Sequence, residues 1–391
     1  MNTRVRKNIN IERHPGAGRG PLPKIRGTLA IMCAAFCLAA MTHAQSPDAS
    51  PPPSPWRQQT SPVTVELRGL AVVSDRVAWA SGAKGTVLRT VDGETWQVLP
   101  IAGAETLDFR DIEAWDERTA IAMSIGPGEE SNLYKTTDGG STWRNVFANR
   151  DPTGFWDAIT FWDRSHGALF GDPVRGRFQV FTTSDGGESW TPAPETGMPP
   201  ALQGEGAFAA SGSCLVSGPG KTLAFATGGA SVSRVFVSTD RGRTFRVSTS
   251  PVPAGAASKG LFSLLWLDRK TLLSVGGDYK ERALEGVNVA LSHDLGSHWT
   301  SIRANPIGFL SSVVRGPGKD GSVVAVGLAG TGISSDGGRT WRTADTTPYN
   351  TAGFVSDRRS STIPAGWAVG PKGIIARWRQ EPSPSRPLVD P

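Results

Sequence analysis

Short runs in which apolar and polar residues alternate recur along this chain, and each stops at the same kind of corner. TVLRT, NLYKT, QVFTT, RVFVS, NVALS and TGIS each lead into an aspartate, at least one glycine and an aromatic residue. WQVLP, WRNVF, WTPAP, FRVST, WTSIR and WRTAD begin at that aromatic residue. Alternation on both sides of a glycine-bearing corner predicts two antiparallel strands joined by a hairpin turn. Five corners fit Ser/Thr-x-Asp-x-Gly-x-x-Trp/Phe: Thr136–Trp143, Thr183–Trp190, Ser238–Phe245, Ser292–Trp299 and Ser334–Trp341. A sixth, Thr90–Trp96, is one residue short. Their aspartates are Asp92, Asp138, Asp185, Asp240, Asp294 and Asp336, spaced by 46, 47, 55, 54 and 42 residues.

Each corner has a structural reading. The carboxylate accepts from backbone N–H groups inside the turn, a glycine supplies positive φ without a Cβ penalty, and the aromatic ring packs back over the hairpin. Six equivalent copies argue for architecture rather than catalysis or metal binding. The same holds for His293 and His298, which lie in one corner and cannot alone close a tetrahedral site.

Two more strands precede each corner. The nearer reads RVAWASGAKG, TAIAMSIGPG, HGALFGDPVRG, TLAFATGG, TLLSVGGD, SVVAVGLAG and AGWAVGPKG. The farther reads LRGLAVV, DFRDIEAW, FWDAITFW, GEGAFAAS, KGLFSLLW, GFLSSVV and AGFVSD. Four antiparallel strands in each of seven units of about this length predict an all-β, seven-bladed β-propeller. The seventh unit ends near Gln380 without a corner or a fourth strand. The stretch SPWRQQT at 54–60 resembles the other fourth strands, so Trp56–Gln59 is expected to complete blade seven and close the ring.

Composition and charge then bound the function. The run Leu29–Met41 is apolar, follows a basic segment and precedes a small-residue site at Thr42-His43-Ala44. This is the pattern of a cleaved signal peptide over 1–44, and the run is too short to span a bilayer. A periplasmic or secreted protein is expected. A Pro/Ser-rich linker at 45–53, the propeller at 54–380 and a loose tail at 381–391 complete the organisation. The formal charge of +6 belongs to the leader: it holds seven of the 41 Lys and Arg but one of the 35 acids, so the remaining 34 of each cancel. Nothing in the mature composition then favours nucleic acid. Only Cys214 survives cleavage, which excludes an intramolecular disulfide.

The phrases GWAVGPKGIIAR, VLRTVDGETW and YKTTDGGSTW resemble the photosystem II stability/assembly factor family, within the wider Asp-box (bacterial neuraminidase repeat) group. The resemblance covers roughly residues 54–380. It implies an exported seven-bladed propeller without enzymatic activity, which docks on a partner protein through basic residues on one face.

Recognition is expected on the face opposite the corners, where the inner strands begin and strands two and three connect. That face collects Arg68, Arg110, Asp111, Trp156, Asp157, Glu205 and Lys259 from the first set, and Lys84, Glu129, Glu130, Asp172, Arg175, Asp278, Tyr279, Lys280 and Lys372 from the second. Arginine with aromatics suits a protein or anionic surface. The partner is expected to be a protein or a glycan, met by a monomer, with no cofactor and no metal. The alternative is a glycoside hydrolase. It would need two carboxylates across the channel, which Asp111, Asp157, Asp172, Glu205 and Asp278 supply as candidates. A sialidase would also need a Tyr–carboxylate pair, and only Tyr134, Tyr279 and Tyr349 exist. GPGKT at 218–222 is not a phosphate loop: Leu215 replaces the first glycine and a strand follows.

Overall fold

The structure, a computed structural model, describes residues 53–283, 286–302, 307–317, 321–355 and 365–379. The expected leader, nearly all of the linker and the tail lie outside the described residues.

The corners form as their chemistry requires. In the third, the Thr183 hydroxyl donates to Asp185 at 2.7 Å, and the N–H groups of Glu188 and Ser189 donate to the same carboxylate oxygen at 3.0 Å. Gly187 N–H donates back to the Thr183 hydroxyl at 2.9 Å. Asp240, Asp294 and Asp336 repeat this arrangement. Asp138 accepts from Thr142 N–H. Asp92, in the short corner, accepts from Glu94 and Thr95. The residue after the aspartate is left-handed even where it is not glycine: Arg241 sits at φ 63° and Leu295 at 61°.

These hairpins extend into seven four-stranded antiparallel sheets, six of them contiguous in sequence over residues 67–98, 108–148, 156–192, 215–250, 259–302, 312–345. The seventh joins Thr351–Phe354, Gly366–Val369 and Ile375–Trp378 to Trp56–Gln59 as its outer strand. The register is Trp56↔Trp378 through Gln59↔Ile375. The ring therefore closes by pairing the two ends of the described chain.

Apolar packing sits between blades. Each of the seven interfaces has its own cluster: for example, Ile121, Met123 and Leu133 of blade two meet Trp156, Ile159 and Leu169 of blade three. The corner aromatics belong to these clusters. Trp96, Trp143, Trp190, Phe245, Trp299 and Trp341 each lie at the interface with the preceding blade. They cover their own turns as well, since the indoles of Trp190 and Trp341 donate to the carbonyls of Gly187 and Gly338.

One strand differs from the sequence reading. The stretch GEGAFAAS is not the inner strand of blade four; Leu215–Ser217 is. Residues 204–213 instead leave the sheet. Its alternation of small and larger residues imitates a strand, but the run lacks the β-branched residues that fill one.

Replacing Trp56 by alanine tests the closure. Its ring is buried, stands 4.8 Å from Trp378 and donates to Thr331 at 3.0 Å. A loss of about 3–5 kcal/mol is expected by denaturant unfolding, against about 1–2 kcal/mol for Asp240→Ala, which loses turn hydrogen bonds that water partly replaces. Equal losses would show that closure adds nothing beyond an ordinary corner.

Candidate functional site

Residues 204–213 cross the axis of the ring on the face opposite the corners. Gly206 and Gly228 of blade four exchange backbone hydrogen bonds at 2.9 and 3.1 Å. Ala207 N–H donates to Asp172 of blade three at 2.8 Å. Arg68 of blade one donates to the Ala210 carbonyl at 3.3 Å, and Arg110 of blade two to Ala209 at 3.2 Å. Phe208 stacks on Phe262 of blade five with centroids 3.9 Å apart. Ser211 donates to the carbonyl of Ser311, just before blade six, at 2.8 Å. One segment thus ties the inner edges of six blades. Its small residues are needed: Gly212 is left-handed at φ 74°, and a Cβ there would collide with the Asp111 carboxylate.

This crossing segment walls one side of a central cavity of about 830 Å³. Phe155, Phe208, Phe262, Tyr279 and Phe309 give it apolar surface. Arg68, Arg110, Arg282 and Lys372 bring positive charge, and Glu66, Asp157 and Asp172 bring carboxyls. Two cations are held by neighbours: Arg68 pairs with Glu66 at 2.6 Å and Arg110 with Asp108 at 2.8 Å.

The carboxyls beneath are unusual. Asp111 is pushed up to about 7 by burial, opposed by the N–H groups of Ile159 and Ile112 that donate to it at 2.8 Å. Asp172 is pushed up to about 6 by burial, opposed by Ala207 N–H. Asp157 is only 1% exposed and is raised by burial and by Asp172, with Arg110 opposing. Its Oδ2 has no hydrogen-bond partner among the described residues. Burial likewise raises the nearby Cys214 thiol, which is no reactive nucleophile. Four cations against three carboxyls, with burial opposing the charged form of Asp157, make the cavity wall positive.

The expected face residues separate into groups. Arg68, Arg110, Asp157, Asp172, Tyr279 and Lys372 converge on this cavity. Lys84, Arg175 and Lys372 occupy matching left-handed hairpin tips at φ 57°, 51° and 57°. Lys259 and Asp278 pair with each other at 3.5 Å outside the cavity lining. Glu129, Glu130 and Lys280 also lie outside that lining. Three expectations need correction. Trp156 is fully buried and stacks on Phe147, because its ring fills the gap between blades two and three. Glu205 is interior, where Arg234 and Thr227 hold it. Asp111 is a buried link between the inner strands of blades two and three. Sequence reasoning missed Phe155, Phe208, Phe262, Arg282 and Phe309. Phe208 alone left a signal, the departure of GEGAFAAS from strand composition, which brings it to the axis.

No protein-family model matches the chain, and no curated protein matches it. Solved structures do. YCF48 bound to a D1 peptide superposes with a TM-score of 0.58 at 17% identity, over 84% of this chain and 96% of that one. YCF48 from Cyanidioschyzon merolae gives 0.57 at 15%, over 83% and 98%. An ancestral GH74 enzyme gives 0.56 at 12%, over 82% of this chain and 46% of that one. The structural likeness to YCF48 propellers agrees with the resemblance read from the sequence; identities this low establish the shared propeller fold.

The buried carboxyls predict a pH dependence of stability. Unfolded aspartates titrate near 4, so folded Asp111, Asp157 and Asp172 retain protons that the unfolded chain has lost. Their contribution is fully present below about pH 4; that of Asp172 is lost as pH rises through about 6 and that of Asp111 through about 7, and Asp157 acts in the same direction. The corner carboxylates act oppositely: Asp138, held down to about 2 by its hydrogen bonds with Thr142, contributes above pH 4 and fails as pH falls toward 2. Denaturation midpoints should therefore peak near pH 4–5 and decline toward pH 8. Asp111→Asn should flatten that decline. A wild-type profile level between pH 5 and 8 would refute the assignment.

Proposed function

We propose that this protein is an exported, non-enzymatic propeller that holds a peptide segment of a partner protein at its central cavity. The observation that carries the reading is the cavity itself: an aromatic-lined opening rimmed by Arg68, Arg110, Arg282 and Lys372, built on a segment anchored to six blades. Aromatic surface with arginines at a desolvated centre is the composition that concentrates binding energy in protein interfaces. The positive wall suits a segment carrying a carboxylate. YCF48, which shares this fold, has been solved with a D1 peptide bound. Export rests on the leader read over residues 1–44, and it places the partner outside the cytoplasm. No helix among the described residues is long and apolar enough to cross a membrane.

A hydrolytic reading draws on Asp172, a carboxyl that lines the cavity with its pKa raised to about 6. Its neighbour Asp157 is 1% exposed, which keeps that group from reaching a glycosidic oxygen.

The test uses the exported chain, whose mature mass should correspond to a start at Gln45. Crosslinked capture from periplasmic extract should fall at least about tenfold, equivalent to roughly 1.4 kcal/mol, in an Arg110→Gln, Lys372→Gln variant whose thermal midpoint is unchanged. Undiminished capture would refute the cavity as the docking site. Glycoside turnover that disappears in Asp172→Asn would replace the binding reading with the hydrolytic one.

A further inference from the structure

Blade three has an unfinished outer edge. Its third strand runs Arg177–Thr183, but its outer strand is only Thr191–Pro192 and pairs with Phe181 and Thr182 alone. One further rung follows, from Ala193 N–H to the Val180 carbonyl at 2.8 Å. Pro192 and Pro194 lack N–H groups and cannot continue the ladder. The chain rejoins only at the hairpin tip, where Ala201 N–H donates to the Gly176 carbonyl at 2.9 Å and Arg177 donates to the Met198 carbonyl. In blade four, by contrast, the outer strand pairs with five residues, from Ser233 to Val237.

The gap is a cavity of about 770 Å³. Phe181, which packs toward blade two, lines it, and so do Phe178 and Val180, which pack toward blade four. Both faces of one strand reach the same cavity because its outer edge is open between them. The Val180 carbonyl points outward to Ala193, so the alternation of the ladder turns the N–H and carbonyl of Phe178, two residues back, the same way.

Polar side chains in this cavity also lack partners. Asn149 is 3% exposed; its Oδ1 accepts from Asp151 N–H at 3.0 Å, which directs Nδ2 away, and Nδ2 has no partner among the described residues. The indole N–H of fully buried Trp156 and the Oε1 of Gln179 are likewise unpaired. Gly154 leaves room for the two amides: a Cβ there would stand 2.6 Å from Asn149 Nδ2 and 2.9 Å from Gln179 Oε1. Buried polar groups of this kind remain costly until something pairs with them. Neutral donors and an acceptor beside an open strand edge match the donors and acceptors of a peptide backbone. At the rim, Arg150, Arg175 and Arg177 outnumber Asp151 and Glu195.

We propose that an extended segment of a partner protein, apolar at alternate positions and acidic between them, adds to this edge as the missing rungs of blade three. The three residues Arg177–Gln179 beyond the Ala193 rung span about 10 Å at strand spacing, enough for three residues of ligand with one more overhanging at each end. Strand addition draws affinity from main-chain hydrogen bonds and specificity from alternate side-chain pockets. The site is separate from the central cavity and does not depend on the function proposed there.

The probe is a blocked pentapeptide of alternating valine and glutamate, titrated against the mature chain with hydrogen exchange read by NMR. Binding should slow exchange of the Phe178 amide at least about tenfold. N-methylation of the peptide amides that face the strand should weaken binding at least about tenfold, and Arg175→Glu should weaken it several-fold. No binding at millimolar peptide, indifference to N-methylation, or protection confined to the central cavity would each overturn the proposal. So would protection of Phe178 by an N-acetylated oligosaccharide in place of the peptide, which would assign the site to a sugar.

Discussion

A blade of this protein is apolar on both faces, and that constraint shapes everything else. Strands such as Ala78–Gly82, Leu223–Ala226 and Val323–Gly327 are buried at every residue. A sheet of this kind cannot face water on either side, so each blade needs two neighbours. A ring meets that need without leaving a terminal blade. The corner aromatics serve the same end, because each lies in the cluster shared with the blade before it. Local turn chemistry and inter-blade packing are thus satisfied by the same eight residues. At the last interface Trp56 takes the corresponding place, joining blade six to blade seven.

Closing a ring creates an axis that apolar side chains do not fill. Here the inner strands meet across polar links instead. Asp111 accepts from Ile159 N–H of the next blade, and Ser263 accepts from Val313 N–H of the blade after its own. Residues 204–213 then supply the missing contacts with Gly, Ala and Ser, which fit where bulkier residues would not. The upward pKa shifts of Asp111 and Asp172 express what this costs: water has been excluded from carboxyls that the architecture uses as hydrogen-bond acceptors.

This division explains what could be read from the chain alone. The corners were legible because turn chemistry is local: an aspartate, a left-handed residue and an aromatic at fixed offsets mean the same thing in any context. The closing strand was legible because WRQQ matches the other outer strands. The inner strand of blade four was not, since GEGAFAAS alternates as a strand does and only the crowded axis decides otherwise. Trp156 and Asp111 were placed on the correct end of the correct strands, yet their side chains are buried; Glu205, read into the inner strand of blade four, instead lies in the crossing segment. Periodicity assigns a residue to an end of a blade; the neighbouring blade decides whether its side chain meets water. The cavity aromatics Phe155, Phe208, Phe262, Tyr279 and Phe309 come from positions far apart in sequence, and only closure of the ring brings them together.

The same repeat geometry sorts the cations into two kinds. Lys84, Arg175 and Lys372 sit at equivalent left-handed hairpin tips, each followed by a glycine with positive φ. A hairpin tip projects from the blade, so Lys84 and Arg175 stand in solvent outside the central cavity, whereas Lys372 lines that cavity. Arg68 and Arg110 instead lie along the axis and are fixed by carboxylates and by carbonyls of the crossing segment. A charge in solvent acts at long range, is screened by salt and chiefly accelerates encounter. A charge fixed beside aromatic surface acts at short range and chiefly slows departure. Under the docking proposed for this face, Lys84 and Arg175 would act on arrival, and Arg68, Arg110 and Lys372 on residence. The two roles are kept apart because one comes from the exposed ends of the repeat and the other from the point where all the repeats converge.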